Sequence, residues 1–261
     1  MSLSNRGQAF ASSYTPELEA ILSVFARPFH PERNPDGVVN FGVAENSTLR
    51  KELTDYFNDV GLQLDGSELA YNNRLTTSMK LVEALCYLFN NVPDGVIEKN
   101  DWESRKPLRA IEPSHVHVGN GAGGVINATI YSLCDSGEGV LLSEPYYNGF
   151  LYDITYKNNA VLVKVPLPAA EASKQGEQDR EDGRWRAPDT VDLWEKAILD
   201  AKAKGIKTKV LLHCNPHNPT GQIISRDTTL ALLKLAAKYD LHFISDEIYV
   251  GATSDMAERI S

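Results

Sequence analysis

Between residues 115 and 250, short apolar runs alternate with segments of helical period, and this alternation constrains the fold more than any other feature. The runs fall at residues 116–118, 139–142, 160–165, 209–214 and 241–245. They are nearly continuous in apolar residues, as in Val140-Leu141-Leu142 and Val210-Leu211-Leu212. Strands covered on both faces read this way, whereas half-exposed strands alternate apolar with polar. Between the runs lie a helix from the glycine-rich stretch 119–124 to Cys134, a helix over 191–203 with Leu193, Ala197, Ile198 and Ala201 on one side, and a helix over 227–239. The alternation predicts an α/β fold: a mostly parallel sheet with right-handed crossovers and helices on both faces. Ligands of such sheets bind beyond the C-terminal ends of the strands, so chemistry is sought in the residues just after each run.

Four segments occupy those positions. Residues 119–124, GNGAGG, lead from a strand into a helix, and successive backbone N–H groups at a helix N-terminus cradle an anion such as phosphate. The same stretch satisfies G-x-G-x-x-G through Gly119, Gly121 and Gly124, with Glu144 20 residues beyond, which is the nominal dinucleotide pattern. A turn required only for tight strand–helix packing has the same composition. Tyr146 and Tyr147 follow the next strand; one of them stacks on a flat heteroaromatic ring or simply covers the sheet edge. Residues 215–221, NPHNPTG, form a rigid irregular turn that holds Asn218 at a strand end with its amide available to donate. His217 within it reads as a solvent-exposed loop residue without a role. Asp246 ends the strand 241–245, with Tyr249 three residues on. A lone Asp there is usually an N-cap, yet a strand-end carboxylate is desolvated unless something positive meets it. Together, cradle, ring, amide, carboxylate and phenol describe a site for a phosphorylated, hydroxylated nitrogen heterocycle. A carboxylate on a pyridinium nitrogen is what the electron sink of pyridoxal 5'-phosphate (PLP) requires.

Upstream, residues 38–44 read as a short strand ending at Glu45. Ser47 is placed as the cap of a helix through 57 that aligns Leu49 and Leu53, and Ser78 as the cap of a helix over 79–89 with Leu81, Leu85, Leu88 and Phe89 as its apolar face. Residues 167–189 are highly charged and read as a surface loop. A formal charge of −9 argues against a basic nucleic-acid-binding face. No apolar run approaches the roughly 18 residues of a membrane span, and the N-terminus lacks a signal-peptide core, which makes the cytoplasm the default location. Cys86, Cys134 and Cys214 lie inside apolar runs and read as buried free thiols, with spacing that suits no metal site.

The motifs FGVAEN (41–46), GAGG (121–124) with DSGE (135–138), EPYYNGF (144–150), NPHNPTG (215–221) and SDEIYVG (245–251) occur in an order and spacing that resemble the class I and II PLP-dependent aminotransferases of fold type I. Within them, the chain resembles the branch of aminocyclopropane-carboxylate synthases and fungal carbon–sulfur lyases. The resemblance implies an N-terminal arm and partial small-domain segment over 1–70, and over 71–261 a PLP-binding large domain cut short at its C-terminus, with the small domain largely missing. It implies Asp246 on the pyridinium nitrogen, Asn218 and Tyr249 on the ring's 3-hydroxyl oxygen, Tyr146 stacked on the ring, and the amides of Ala122 and Gly123 on the phosphate. Tyr71 would reach the neighbouring subunit's phosphate in a homodimer. Glu45 falls at the glutamate of the branch's AEN motif, beside the amino-acid substrate.

Three departures accompany the match. The family places a Schiff-base lysine downstream of DEIY, whereas residues 247–261 contain no lysine, so no catalytic residue is assigned and the 261-residue chain alone is expected to be inactive. Gly123 stands where a hydroxyl residue usually adds a phosphate contact. Residues 72–77, NNRLTT, replace a glycine-rich stretch. The function readings are accordingly a PLP-dependent transaminase or β-eliminating lyase with a place in secondary metabolism, an inactive PLP-fold protein or dimerisation partner, and a dinucleotide-binding protein. The last leaves residues 215–221 and 246–249 unexplained.

Overall fold

The computed structural model describes residues 2–12, 16–40, 42–61, 66, 77–91, 109–167, 184–185 and 188–250. The chain clusters into two compact units, Met1–Leu69 and Ala70–Ser261.

In the first unit the described helices are α1 (Asn5–Ser12), α2 (Pro16–Ala26) and α3 (Arg50–Val60). The strand expected over 38–44 does not form: Val38 makes one isolated bridge to Pro28, and the residues described after it have no ladder partner. Ser47 does not cap α3. Asn46 Oδ1 instead accepts the Leu49 N–H at 3.1 Å, and no residue of α3 is buried.

In the second unit the helices are α4 (Met79–Asn91), α5 (Gly121–Leu133), α6 (Gly149–Leu151), α7 (Pro188–Ala203) and α8 (Arg226–Lys238). The strands are β1 (Gly139–Glu144), β2 (Val161–Pro166), β3 (Arg184–Trp185), β4 (Thr208–Cys214), β5 (Ile223–Ile224) and β6 (His242–Asp246). A four-stranded sheet runs β2-β1-β4-β6, parallel throughout, with Leu142 beside Leu212 and Leu212 beside Ile244 in register. The α/β expectation is met. β3 and β5 form a separate parallel pair, so part of the stretch expected as a surface loop is a strand, while 168–183 and 186–187 lie outside the described residues.

The continuous apolar runs are explained by two covered faces. Val140, Leu142, Val210 and Leu212 pack against Ile126 and Ile130 of α5 and against Phe150 and Ile154, with Ile244 at the margin. On the other face, Leu141 and Leu211 pack against Trp194, Ala197 and Ile198 of α7 and Leu232 and Leu235 of α8, with Phe243 at the margin. Each such side chain, fully removed from water, contributes about 1.5–3 kcal/mol of transfer free energy. α8 is held at its start by Ser225, whose hydroxyl accepts the Thr228 N–H at 3.3 Å.

The connection from β1 to β2, through α6 and a π-helical turn at Tyr152–Tyr156, lies on the α5 side, whereas α8, joining β4 to β6, lies on the opposite side. The strand order therefore reverses direction between β1 and β4. That switch point opens a crevice beyond the strands' C-terminal ends.

Two further expectations are corrected. The expected strand at 116–118 is extended chain without a strand partner among the described residues, following a 3-10 turn at Pro113–His115. α4 buries Val82 and Cys86, while Leu81, Leu88 and Phe89 are exposed. On the same row as Val82 and Cys86, the Asn90 side-chain amide pairs in both directions with the Ile111 backbone at 2.8 Å. Cys86, Cys134 and Cys214 are free and buried, as expected. Among the described residues no helix is long and apolar enough to cross a membrane.

Candidate functional site

The loops after β1 and β4, the turn after β6 and the start of α5 meet around the switch point. α5 begins at Gly121, whose φ of 70° is a left-handed conformation that glycine adopts without strain. Asn120 precedes it without a side-chain cap. The N–H groups of Ala122 and Gly123, in the first turn, therefore lack intrahelical acceptors and point with the positive end of the helix dipole. The surroundings are close: a β-carbon at Gly119 would lie 2.7 Å from Val125 Cγ2, and one at Gly123 would lie 3.2 Å from Asp153 Oδ1. Asp153 belongs to the π-helical turn, and its backbone carbonyl accepts both the Asn127 and Asn158 amides at 3.0 Å. Burial, and then the charge of Asp246, holds its carboxyl above the usual range. Asp153 thus spans from the α5 N-terminus to the end of β6. No sequence pattern singles it out.

Asp246 pairs in register with Cys214 and projects to the same side of the sheet as Ile244. Its Oδ1 accepts the Ile248 N–H at 3.2 Å, which makes a local turn rather than a helix cap. Burial raises its pKa, while the Ile248 N–H and Cys214 lower it; no cationic side chain offsets the burial among the described residues. Asn218 Nδ2 donates to Tyr249 Oη at 3.5 Å and joins the β4 loop to the turn after β6. The peptide bonds Glu144–Pro145, Asn215–Pro216 and Asn218–Pro219 are cis.

Tyr146 packs at the margin of the α5-side core, and Lys164 Nζ sits 5.4 Å from its ring centroid and 2.8 Å from Glu144 Oε1. Glu144, the acid of the dinucleotide pattern, is committed to that lysine. Ala122, Gly123, Tyr146, Asn218, Asp246 and Tyr249 are all partly buried, as residues lining a crevice are. Glu45 belongs to the first unit, where its carboxylate is ion-paired with Arg50. Tyr71 lies outside the described residues. Among the described residues no group of three or more His, Cys, Asp or Glu could hold a metal ion.

His217 departs from expectation most. It is 2% exposed rather than solvent-facing. Its Nε2 lies 3.1 Å from Ser143 Oγ and its Nδ1 2.8 Å from Thr220 Oγ1, so hydrogen bonds compensate for its burial. Burial lowers its pKa. His213, on β4, meets Thr229 Oγ1 at 3.3 Å and is pushed down to about 4, chiefly by burial and secondarily by His217.

This fold is shared with solved aminotransferases. The fold aligns with a Thermus thermophilus aspartate aminotransferase (a tetra mutant complexed with tryptophan) at a TM-score of 0.64 and 20% identity, over 100% of this chain and 56% of that one. The chain belongs to the class I and II aminotransferase family, whose model matches residues 99–260. It is 29% identical to the probable aminotransferase sirI of Leptosphaeria maculans over 95% of this chain and 52% of that protein. It is 26% identical to 1-aminocyclopropane-1-carboxylate synthase 6 of rice, Oryza sativa subsp. japonica, over 90% of this chain and 41% of that protein. The chain spans about half the length of the curated relatives it matches.

PLP is the family's cofactor. The donor set in the crevice fits it: two amides of the first helical turn for a phosphate, a half-buried carboxylate without a cationic side chain among the described residues, and an amide beside a phenol. Asp153, beside Gly123, opposes an anion in the cradle.

Proposed function

We propose that the chain forms the cofactor-holding part of a PLP-dependent enzyme that acts on an amino acid by transamination or β-elimination. The observation that carries this reading is Asp246, whose carboxyl burial holds above the usual range and which is linked through Cys214 to the Asn218 backbone and through Asp153 to the start of α5. A pyridinium supplies the positive charge it lacks. In this reading Asp246 keeps the proton on the ring nitrogen. Asn218 and Tyr249 hydrogen-bond the 3-hydroxyl oxygen, and Tyr146 covers one face of the ring and excludes water from it. The amides of Ala122 and Gly123 hold the phosphate. PLP, when bound, provides an electron sink for negative charge left on the amino acid's α-carbon.

Glu45 near the substrate, Tyr71 reaching a neighbouring subunit, a homodimer, a division into a segment over 1–70 and a cofactor domain over 71–261, a cytoplasmic location and a role in secondary metabolism belong to the same proposal. The kinship with proteins named as aminotransferases supports it. Residues 247–261 contain no lysine, so the 261-residue polypeptide is proposed to bind PLP without turning over.

The test is titration of that polypeptide with PLP, followed by absorbance and fluorescence. Saturable binding that weakens in Asp246→Ala, with no borohydride-fixed adduct at a single lysine and no turnover of amino acids, supports the reading. Absence of binding, or binding indifferent to Asp246 and displaced by NAD, overturns it in favour of an inactive fold or a dinucleotide site.

A further inference from the structure

We infer that His217 is a positioning residue for this site: anchored on the far side of the sheet, its imidazole ties the end of β1 to the 215–221 loop and so fixes the side-chain amide of Asn218. The inference rests on the PLP reading only for what Asn218 contacts, not for how Asn218 is held.

Sidedness comes first. Successive residues of a strand point to opposite faces. Leu142 and Leu212 belong to the α5-side core, so Ser143 and His213 turn toward α7 and α8, as the contacts of His213 with Thr229 and Phe243 bear out. His217 meets Ser143 and therefore sits on that side, behind the crevice. Asp246, two residues from Ile244, faces the crevice side.

The bridge comes second. Ser143 is 74 residues from His217 in sequence, and the Nε2–Oγ contact of 3.1 Å is a tie between β1 and the loop across the switch point. Nδ1 meets Thr220 Oγ1 at 2.8 Å, the His217 N–H donates to the Gln222 carbonyl at 2.8 Å, and the His217 carbonyl accepts the Gly221 N–H at 2.8 Å. Ring and backbone are both engaged. A neutral imidazole donates at one nitrogen and accepts at the other, and a hydroxyl does either, so Ser143, His217 and Thr220 form a continuous hydrogen-bonded line.

Asn218 itself comes third. Its contact to Tyr249, at 3.5 Å, is at the outer limit of a hydrogen bond and too weak to set a rotamer. Its backbone meets the Cys214 thiol at the end of β4, and the rest of its placement comes from its neighbours on the loop. Asn215 provides one anchor by pairing in both directions with Ile224, at 3.1 and 2.9 Å. His217, the residue directly before Asn218, provides another.

The experiment uses the 261-residue chain with His217→Phe, which keeps a ring and removes both side-chain bonds. Hydrogen exchange without PLP is measured first. The amides of His217 and Gly221 are expected to exchange about tenfold faster, with β4 amides unchanged. PLP binding is then measured in a double-mutant cycle with Asn218→Ala. His217→Phe is expected to weaken PLP about fivefold, the scale of one net hydrogen bond, when Asn218 is present, and not at all when it is absent. Unchanged loop exchange, or equal weakening in both backgrounds, overturns the inference, since a purely structural histidine would act without regard to Asn218. If no variant, wild type included, binds PLP, the functional reading fails while the exchange measurement still decides how the loop is held. Should His217→Phe not fold, Ser143→Ala leaves the imidazole in place, cuts one end of the line, and is read by the same two measurements with the same opposing outcomes.

Discussion

Replacing Asp246 with Asn separates a carboxylate that serves a cofactor from one that serves the fold, because the two roles predict opposite signs. Asn Oδ1 can keep the 3.2 Å bond from the Ile248 N–H, so the local turn survives and only the charge is lost. Without PLP, burial holds the folded-state pKa of Asp246 above its unfolded value of 3.8. The folded state then binds more protons than the unfolded state, so this group's contribution is fully present below 3.8 and is lost as pH rises through the folded pKa. At pH 7 the variant should therefore melt higher than wild type. With PLP the order reverses. A charge-assisted bond to a pyridinium is worth about 1.5–3 kcal/mol, so its loss raises Kd by roughly 10- to 150-fold. At a PLP concentration of about 100 times the wild-type Kd, wild type gains about 2.7 kcal/mol of stability, whereas a variant with Kd raised about 30-fold gains only about 0.9 kcal/mol. Calorimetric or fluorescence melts from pH 4 to 8, with and without PLP, should show the two proteins exchanging rank. A variant that melts lower without PLP and binds it with unchanged Kd would refute the assignment.

Asp153→Asn removes a negative group beside the α5 amides, and inorganic phosphate is expected to bind several-fold tighter at pH 8 and low salt, an effect that fades as salt screens it; calorimetric titration reads this. Leu212→Ala deletes side-chain volume at a position with 0% exposure and should cost about 2–5 kcal/mol in urea-monitored unfolding. Gly121→Ala forces a side chain into a left-handed φ of 70° and should cost about 1–2 kcal/mol while weakening phosphate binding, which a melt and a titration report together. His213, neutral when folded down to about pH 4, binds fewer protons than the unfolded chain between there and 6.5, so stability should fall by about 3 kcal/mol as pH drops through that window. His213→Gln should flatten that decline in pH-dependent denaturation.

How much of this was legible in the sequence follows from where each constraint resides. The central strands were readable because Val140, Leu141, Leu142, Val210, Leu211 and Leu212 are covered on both faces, and a two-sided burial requirement writes itself as an unbroken apolar run. The site loops were readable because parallel topology sends the chain out at the same end after each strand. What failed depended on partners distant in sequence. Residues 116–118 have strand composition but no ladder partner among the described residues, and pairing is not a local property. The buried face of α4 carries Val82 and Cys86 and, on the same row, Asn90, which pairs with Ile111, 21 residues further on; the leucine pattern gives no sign of that distant partner. His217 read as exposed because burying an imidazole is costly until partners are supplied, and Ser143, 74 residues earlier, supplies one. Asp153 was invisible because its importance comes only from the approach of the π-helical turn to Gly123.

The alternation of the strands makes the crevice a matter of parity. At the ends of β4 and β6, Cys214 and Asp246 share one side of the sheet, while one residue earlier His213 and Ser245 share the other. Inserting or deleting one residue within β6 ahead of Asp246 would send the acid toward the α8 side and bring its neighbour into the crevice. Point substitutions can therefore retune one position without changing which side it faces, but strand length cannot drift by a single residue. Lineages descending from such a chain should vary in their loops and at individual strand-end positions, and should keep the count between the strand core and the crevice unchanged.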